Sequence, residues 1–495
     1  MNRRDQTIRS LLEAPLDVLV VGGGIVGAGI ARDAAMRGLR TGLVERHDFA
    51  FGTSSRSSRL LHGGVRYLAQ GRLGLVRQAS VEKRTLHQIA PHLAEPLAFV
   101  FPAYRGTTWP LWQLRLGIKI YDLLCGGKNL GQSRSLDRAA ITNWHVKLNP
   151  DGLVGAVRYF DAFTNDARLV LDTLRSAAKR GATVVNYLKF KDARREAGGW
   201  ICELEDQLTA QTHAVPARAV VNATGPWAAG LPHSRVKLRL TKGIHLVVER
   251  HRLPVPDAVV MTAAKRILFV IPWGERVILG TTDTDYQGEP EAVKAESEEI
   301  AYLLQIANRF FPQAALAPSD VISTWAGLRP LIADGNHGTP SDTSRSHQIK
   351  NPEAGWWDVA GGKLTTYRLM AEETVDEIVR WLSKLKGLNR SLSPCRTAEE
   401  PLLSASEVAS VSGILPAEFD RRAVEHFCAR EWAVHLDDVM VRRSGWHYYF
   451  RDARQKADQV AGWMAAALGW SAETQAAELR RYQLTAGTAS ITKSQ

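Results

Sequence analysis

The stretch from Asp17 to Asp48, DVLVVGGGIVGAGIARDAAMRGLRTGLVERHD, limits the possible folds more than any other part of the chain. An apolar run, Val18 to Val21, meets a glycine cluster, then an alanine-rich segment closed by Gly38, then a second apolar run ending on Glu45. That order reads strand, turn, helix, strand. Gly22 permits a tight turn, Gly24 lets the backbone approach a pyrophosphate, and Gly27 allows the helix to lie close to the strand. Free amides at the start of the helix then face phosphates. Glu45 ends the second strand, where a carboxylate accepts hydrogen bonds from the ribose hydroxyls of an adenosine. Three glycines alone are a weak signal, but here strand, helix, second strand and terminal acid agree. The unit predicts a dinucleotide site and leaves NAD and FAD both open.

At 495 residues and 45% hydrophobic, the chain can bury a large core and divides into two or three domains, which excludes a disordered or fibrous protein. Its formal charge of +12, from 63 basic and 51 acidic residues, favours anionic partners: phosphorylated substrates, acidic lipid or nucleic acid. Cys125, Cys202, Cys395 and Cys428 form no CxxC pair, so neither a metal site nor a disulfide framework is expected, and a reducing, cytosol-facing location fits. The first residues contain no export-type apolar stretch, and the chain has no uninterrupted run of the ~20 apolar residues that cross a bilayer.

Further along, FGTSSRSSRLLHGGVRYLAQGRLGLV (Phe51 to Val76) offers hydroxyl and guanidinium donors directly after the second strand. By itself it would be a polar loop and a surface helix. AVVNATGPWAAG (Ala219 to Gly230) and WWDVAGGKLTTYRLMAEETVDEIV (Trp356 to Val379) each read as an apolar strand ending in a glycine turn, and the GGK turn opens an amphipathic helix. Neither contains a second GxGxxG, so one dinucleotide is expected. GIHLVVE, RILFVIPW and RVILGTTD read as strands in the middle third, and after about Leu385 the composition becomes helical.

Taken together, the glycine motif, TSSRSSRLLHGGVRYL, NATGPW, KGIHLVV, FVIPW, LGTTDTDY, AGLRPL and GGKLTTYR resemble the FAD-dependent, quinone-linked glycerol-3-phosphate dehydrogenases of the aerobic, membrane-associated type, in the family's order from about Asp17 to Met370. The resemblance implies FAD, and a mixed α/β fold: a Rossmann-type FAD-binding domain interleaved with an antiparallel-sheet substrate domain, plus a helical C-terminal cap. On that plan residues 1–384 form the oxidoreductase core, with FAD-binding segments near 15–80, 150–230 and 350–384 and substrate segments near 81–149 and 231–349, while 385–495 form the cap. It also implies oxidation of glycerol 3-phosphate, ubiquinone or a similar quinone as acceptor, and a peripheral seat on an anionic lipid surface, the cytoplasmic face of an inner membrane. A homodimer is left open.

The site residues that the resemblance implies are distributed along the chain. For the cofactor they are Gly22, Gly24, Gly27, Glu45, Thr53, Ser54, Ser58, His62, Gly63, Gly64, Ala223, Thr224, Gly225, Gly362, Lys363, Leu364 and Thr365. Around the substrate they are Arg66, Tyr67, Arg329, Arg345 and Lys363. A phosphate handle suits arginine, whose planar fork pairs with phosphate oxygens as lysine cannot. His245 and Arg329 are the catalytic candidates. A lone histidine entering an apolar strand is ordinarily a satisfied core residue, and only the resemblance makes His245 the base. In the family a small residue usually precedes that histidine, where this chain has Ile244. A water positioned by Arg329, or a cationic cluster that favours the alkoxide with no discrete base, are alternatives.

TTWPLWQLRLGIKIYDLL, Thr107 to Leu124, sets Trp109, Trp112, Leu116 and Ile120 with Arg115 and Lys119 at helical spacing, as in a helix lying in a lipid interface or an ordinary amphipathic core helix. The rival functions are an amine or amino-acid oxidase of the glycine-oxidase type, a soluble glycerol-3-phosphate oxidase, a catalytically inactive flavin scaffold, and a flavin-containing RNA-modifying or RNA-binding module. The last is disfavoured, since no RNA-recognition motif or basic run interleaved with aromatics accompanies the charge. No nucleic-acid partner is expected.

Overall fold

Strand β1 (Leu16–Val21) is buried at every residue. So is β2 (Thr41–Val44). Strands covered on both faces carry continuous apolar runs, and this is why the opening motif does not alternate. The turn between them leads into α1 (Ile25–Met36). The computed structural model describes residues 3–68, 71–126, 129–142, 147–196, 198–263, 266–333, 346–385, 391–408 and 410–487. Along the chain follow β3 (Glu95–Tyr104), α2 (Leu111–Leu124), β4 (Leu153–Phe163), α3 (Asp166–Lys179), β5 (Thr183–Val185) and β6 (Thr212–Asn222). Then come β7 (Leu238–Glu249), β8 (Ala258–Ala263), β9 (Arg266–Trp273), β10 (Arg276–Gly280), β11 (Val321–Ile332), β12 (Trp356–Gly361) and α4 (Tyr367–Leu382).

Two sheets share the work. The first runs β12-β6-β1-β2-β5, all parallel, with His347–Glu353 antiparallel on its β12 edge and the hairpin Leu188–Glu196/Gly199–Asp206 leaving from β6. Ala28, Ala31 and Ala34 of α1 share one core with Leu169 and Val170 of α3 and Met370 and Val375 of α4, the small residues of α1 letting its neighbours close in. Among the described residues the second sheet has ten strands, including β7, β10, β9, β8, β3 and β4 in that order, with β11 against β7. It is antiparallel apart from the β8–β3 junction, which is parallel. Ile244, Leu246 and Val248 of β7 face the helix Ser297–Phe310, while Val247 faces the core shared with Leu114 and Ile118 of α2. Period-two alternation thus separates its two faces.

The mixed α/β architecture expected from the motifs is the one observed. β4 and Leu60–Leu61, in segments expected to belong to the FAD-binding domain, pair within the second sheet. A strand's sheet is decided by its hydrogen-bond partners, which its own sequence does not name. Beyond residue 385 the described residues contain helices and no strand; Arg421–Arg430, Ala453–Leu468 and Ala472–Gly487 surround Phe427, Leu436, Met440, Trp446 and Met464.

Candidate active site

A cavity of about 520 Å³ lies between the sheets, at the carboxyl ends of β1, β6 and β12. Open parallel sheets receive their ligands there. Gly22 has φ +114°, and a Cβ on it would stand 2.6 Å from the Ala223 carbonyl oxygen. A Cβ on Gly27 would stand 1.9 Å from the Gly22 carbonyl oxygen, so the helix can lie this close to the turn only with glycine. Both strand-turn-helix roles expected of these glycines are met. Ser54 Oγ accepts from the Ile25 amide at 3.0 Å and sits 3.2 Å from where a Gly24 Cβ would be, so it covers the helix start that Gly24 leaves open.

Glu45 accepts from the Gly23 amide at 2.7 Å and the His47 amide at 2.8 Å. Burial pushes its carboxyl pKa up, while these two amides pull the other way. The carboxylate is therefore fixed in place at the cavity wall, with lone pairs left for a ribose. Glycine cradle, helix start and oriented acid fit a dinucleotide.

Several cofactor candidates line the cavity, yet have their polar atoms engaged elsewhere. Thr53 Oγ1 donates to the Leu328 carbonyl at 2.6 Å, tying the loop to β11. Thr365 Oγ1 accepts from the His62 amide at 3.0 Å. Thr224 Oγ1 donates to Asn222 Oδ1 at 2.7 Å, beside Gly225 at φ +58°. Leu364 and Gly362, the latter at φ +77°, carry the chain around the GGK turn. Gly63 and Gly64 do not line the cavity. The Gly63 amide donates to the Tyr121 hydroxyl at 2.9 Å, and a Cβ on Gly64 would meet the Tyr67 ring at 2.3 Å. Gly63 thus packs on Tyr121 and Gly64 on Tyr67.

On the facing sheet, His245 pairs with Trp325 and Thr241 with Arg329 in the β7–β11 ladder. Alternation therefore puts His245 and Arg329 on one face, with Gly243 opposite Gly327 between them. A Cβ on Gly243 would strike the Arg329 guanidinium at 2.5 Å, and one on Gly327 the Arg56 carbonyl oxygen at 2.5 Å. The glycine pair makes the room that the charged side chain and the Arg56 loop occupy. Arg329 donates to Asp283 at 3.1 Å and Thr281 Oγ1 at 3.1 Å, which fixes the plane of its fork. Lys363 Nζ lies 3.9 Å from the centre of the buried Tyr67 ring. Arg66 belongs to the Val65–Tyr67 turn, but its side chain and the whole of Arg345 lie outside the described residues.

Ser58, expected at the cofactor, lines the cavity, and its Oγ lies 2.8 Å from His245 Nε2. The imidazole stacks on Trp325, ring centres 5.0 Å apart, and its Nδ1 is buried with no hydrogen-bond partner among the described residues. Burial first, then the charges of Arg329 and Arg59, hold its pKa well below the ordinary 6.5. Arg59 itself is buried, its guanidinium 4.2 Å from the Trp273 ring and 5.1 Å from Trp325. Nothing local in the sequence marks Arg59, Trp325 and Asp283: only the sheet register brings them beside the histidine and arginine.

One helix stands apart from the cavity. On α2, Leu114, Ile118 and Tyr121 are buried, whereas Trp112, Leu116 and Leu123 are 65%, 53% and 75% exposed. Trp109 and Ile120, expected on the outer face, are half-buried, Trp109 against Phe101 with ring centres 6.2 Å apart. No helix among the described residues is long and apolar enough to cross a membrane.

A Rossmann unit whose cavity is closed by a histidine and an arginine from a second sheet defines a dinucleotide-dependent oxidoreductase. Residues 17–377 match the FAD dependent oxidoreductase family, and the chain belongs to that family, with FAD as its cofactor. It is 37% identical over 397 residues to an aerobic glycerol-3-phosphate dehydrogenase of Staphylococcus epidermidis, covering 78% of this chain and 71% of that protein. Among solved structures it resembles the glycerol-3-phosphate dehydrogenase from Bacillus halodurans complexed with FAD, with TM-score 0.79 and 30% identity over 100% of this chain and 99% of that one. Glycine oxidase from Geobacillus kaustophilus, at TM-score 0.57 and 22% identity over 74% of this chain and 95% of that one, shares the fold alone. The family read from the motifs is borne out.

Proposed function

We propose that this protein oxidises sn-glycerol 3-phosphate to dihydroxyacetone phosphate and passes the electrons to a membrane quinone. The observation that carries the reading is the placement of His245 and Arg329 on one face of neighbouring strands, both opening into the cavity that takes FAD. The names of the relatives at 30% and 37% identity support the substrate. Bound FAD supplies the two-electron acceptor. Arg329 offers a charged fork held in plane by Asp283 and Thr281, suited to an anionic substrate and to alkoxide character at its hydroxyl. His245 stays neutral in this cationic, buried setting. His245 Nε2 shares a hydrogen bond with Ser58 Oγ on the cavity wall, and in the tautomer where Nε2 carries the lone pair the two can take up the hydroxyl proton.

The exposed stripe Trp112, Leu116 and Leu123 supports the membrane part of the reading: successive turns of one helix offer apolar side chains beside the exposed Arg115 and Lys119. A peripheral seat there, on an anionic cytoplasmic leaflet, brings the protein to a lipid-soluble acceptor. The substrate is tested by mixing the FAD-loaded protein anaerobically with glycerol 3-phosphate, glycerol, glycine and sarcosine while following flavin absorbance. Bleaching by glycerol 3-phosphate alone is expected; bleaching by an amino acid and not by the phosphate ester would replace this reading with an amino-acid oxidase.

A further inference from the structure

The C-terminal cap reaches back into the nucleotide site. After Glu45 the loop 46–51 gives Arg46, His47 and Phe51 to the cavity wall. Midway along it Asp48 turns inward and is fully buried, and both its carboxylate oxygens are taken by the cap. Arg443 Nη2 donates to Oδ1 at 2.8 Å, while Arg443 Nη1 and Arg442 Nε both donate to Oδ2. Asn186 bridges the same junction, donating to Asp48 Oδ1 at 3.1 Å and to the Trp432 carbonyl at 2.9 Å. Phe49 meets Trp432 edge-on at 5.4 Å, and its ring lies 2.5 Å from where a Cβ on Gly23 would stand. Arg442 is steadied in turn by Asp437 and Asp438 at 2.7 and 2.6 Å.

Burial alone would raise the Asp48 carboxyl pKa; Arg443 and Arg442 reverse that and hold it down at about 2. Apolar side chains of similar volume would join cap to core at least as firmly, so a buried ion cluster here is better explained by the geometry it imposes than by adhesion. That geometry is imposed on the loop between the ribose-binding acid and the cavity wall. We propose that Asp48, Arg442 and Arg443 are positioning residues for FAD, and that the cap thereby completes the cofactor site. The family match ends at residue 377, so both arginines lie beyond the core it describes. The inference concerns FAD retention and is independent of the substrate.

Full-length protein stripped of flavin and titrated with FAD, followed by flavin fluorescence, tests it in the wild type, Asp48→Asn, Arg443→Lys and Glu478→Gln. Glu478 holds His435 and the Leu436 amide inside the cap. Asp48→Asn and Arg443→Lys are expected to raise the FAD Kd about tenfold or more, and Glu478→Gln to lower Tm with Kd changed less than about twofold. Should Asp48→Asn not fold, Arg443→Lys, which keeps the charge and loses the fork, decides alone. Wild-type FAD affinity in the loop-side variants, or equal weakening in Glu478→Gln, would overturn the proposal.

Discussion

His245 shows how far a side chain's chemistry depends on neighbours that are distant in sequence. Ser58 orients one ring nitrogen, Trp325 covers the ring, and burial with two arginines keeps it neutral. Flavin reduction by substrate should therefore keep its rate to pH values well below 6.5, and His245→Asn should lower the reduction rate about 100-fold and remove the acid limb; an unchanged pH profile would move the proton to the cationic cluster. Stability has a matching sign. The unfolded chain binds a proton near pH 6.5 that the folded chain refuses, so this contribution is intact above that pH and falls by about 1.4 kcal/mol per unit below it. Denaturation midpoints compared across that range in wild type and His245→Asn would show the slope flattening in the variant. For Arg329→Ala we expect kcat/KM for glycerol 3-phosphate to fall about 30 to 1000-fold, roughly 2–4 kcal/mol, with FAD still bound. Wild-type turnover in that variant would remove Arg329 from the substrate site.

At the scale of elements, α2 is an amphipathic helix with two apolar faces. One face packs on the second sheet through Leu114, Ile118 and Tyr121 and is needed for the fold. The other carries Trp112, Leu116 and Leu123 outward, so these can be changed without opening the core. Replacing the three with serine should abolish flotation with anionic vesicles while sparing anaerobic flavin reduction; binding of the wild type should weaken in high salt, because screening cuts the part due to basic side chains. Flotation unaffected by the substitutions, or no flotation of the wild type, would overturn the peripheral seat proposed for this helix. Tyr121 links this helix to the site: its hydroxyl accepts from the Gly63 amide and donates to Asp161 at 2.5 Å. The turn that carries Tyr67 is thus built on the inner face of α2.

The whole molecule is held together across its cofactor site. The first sheet supplies the glycine cradle, the second the histidine and arginine, and the cap the cations behind Asp48. A ligand in such a cavity binds the folded chain alone, so FAD at 100 times its Kd should stabilise the protein by about 2.7 kcal/mol. Thermal melts of the stripped protein with and without added FAD check this, and coincident melts would contradict the assignment of the cavity.

The sequence alone was enough for the parts whose physics is local. A glycine between strand and helix is required wherever a Cβ would collide, as at Gly22 and Gly27, and that requirement is written in a few adjacent residues. The strands β7, β9 and β10 were legible because burial on a sheet imposes a period of two or a continuous apolar run. Motif order then carried the family. What the tertiary structure decided was everything that depends on register and on contact between distant segments: that Ser58 reaches His245, that Gly63 binds Tyr121, that β4 joins the second sheet, that Arg59 stands behind Trp325, and that Arg443 holds Asp48. A residue's type sets which bonds it can make, but its partner is chosen by the packing of elements hundreds of residues apart, and no local pattern encodes that choice.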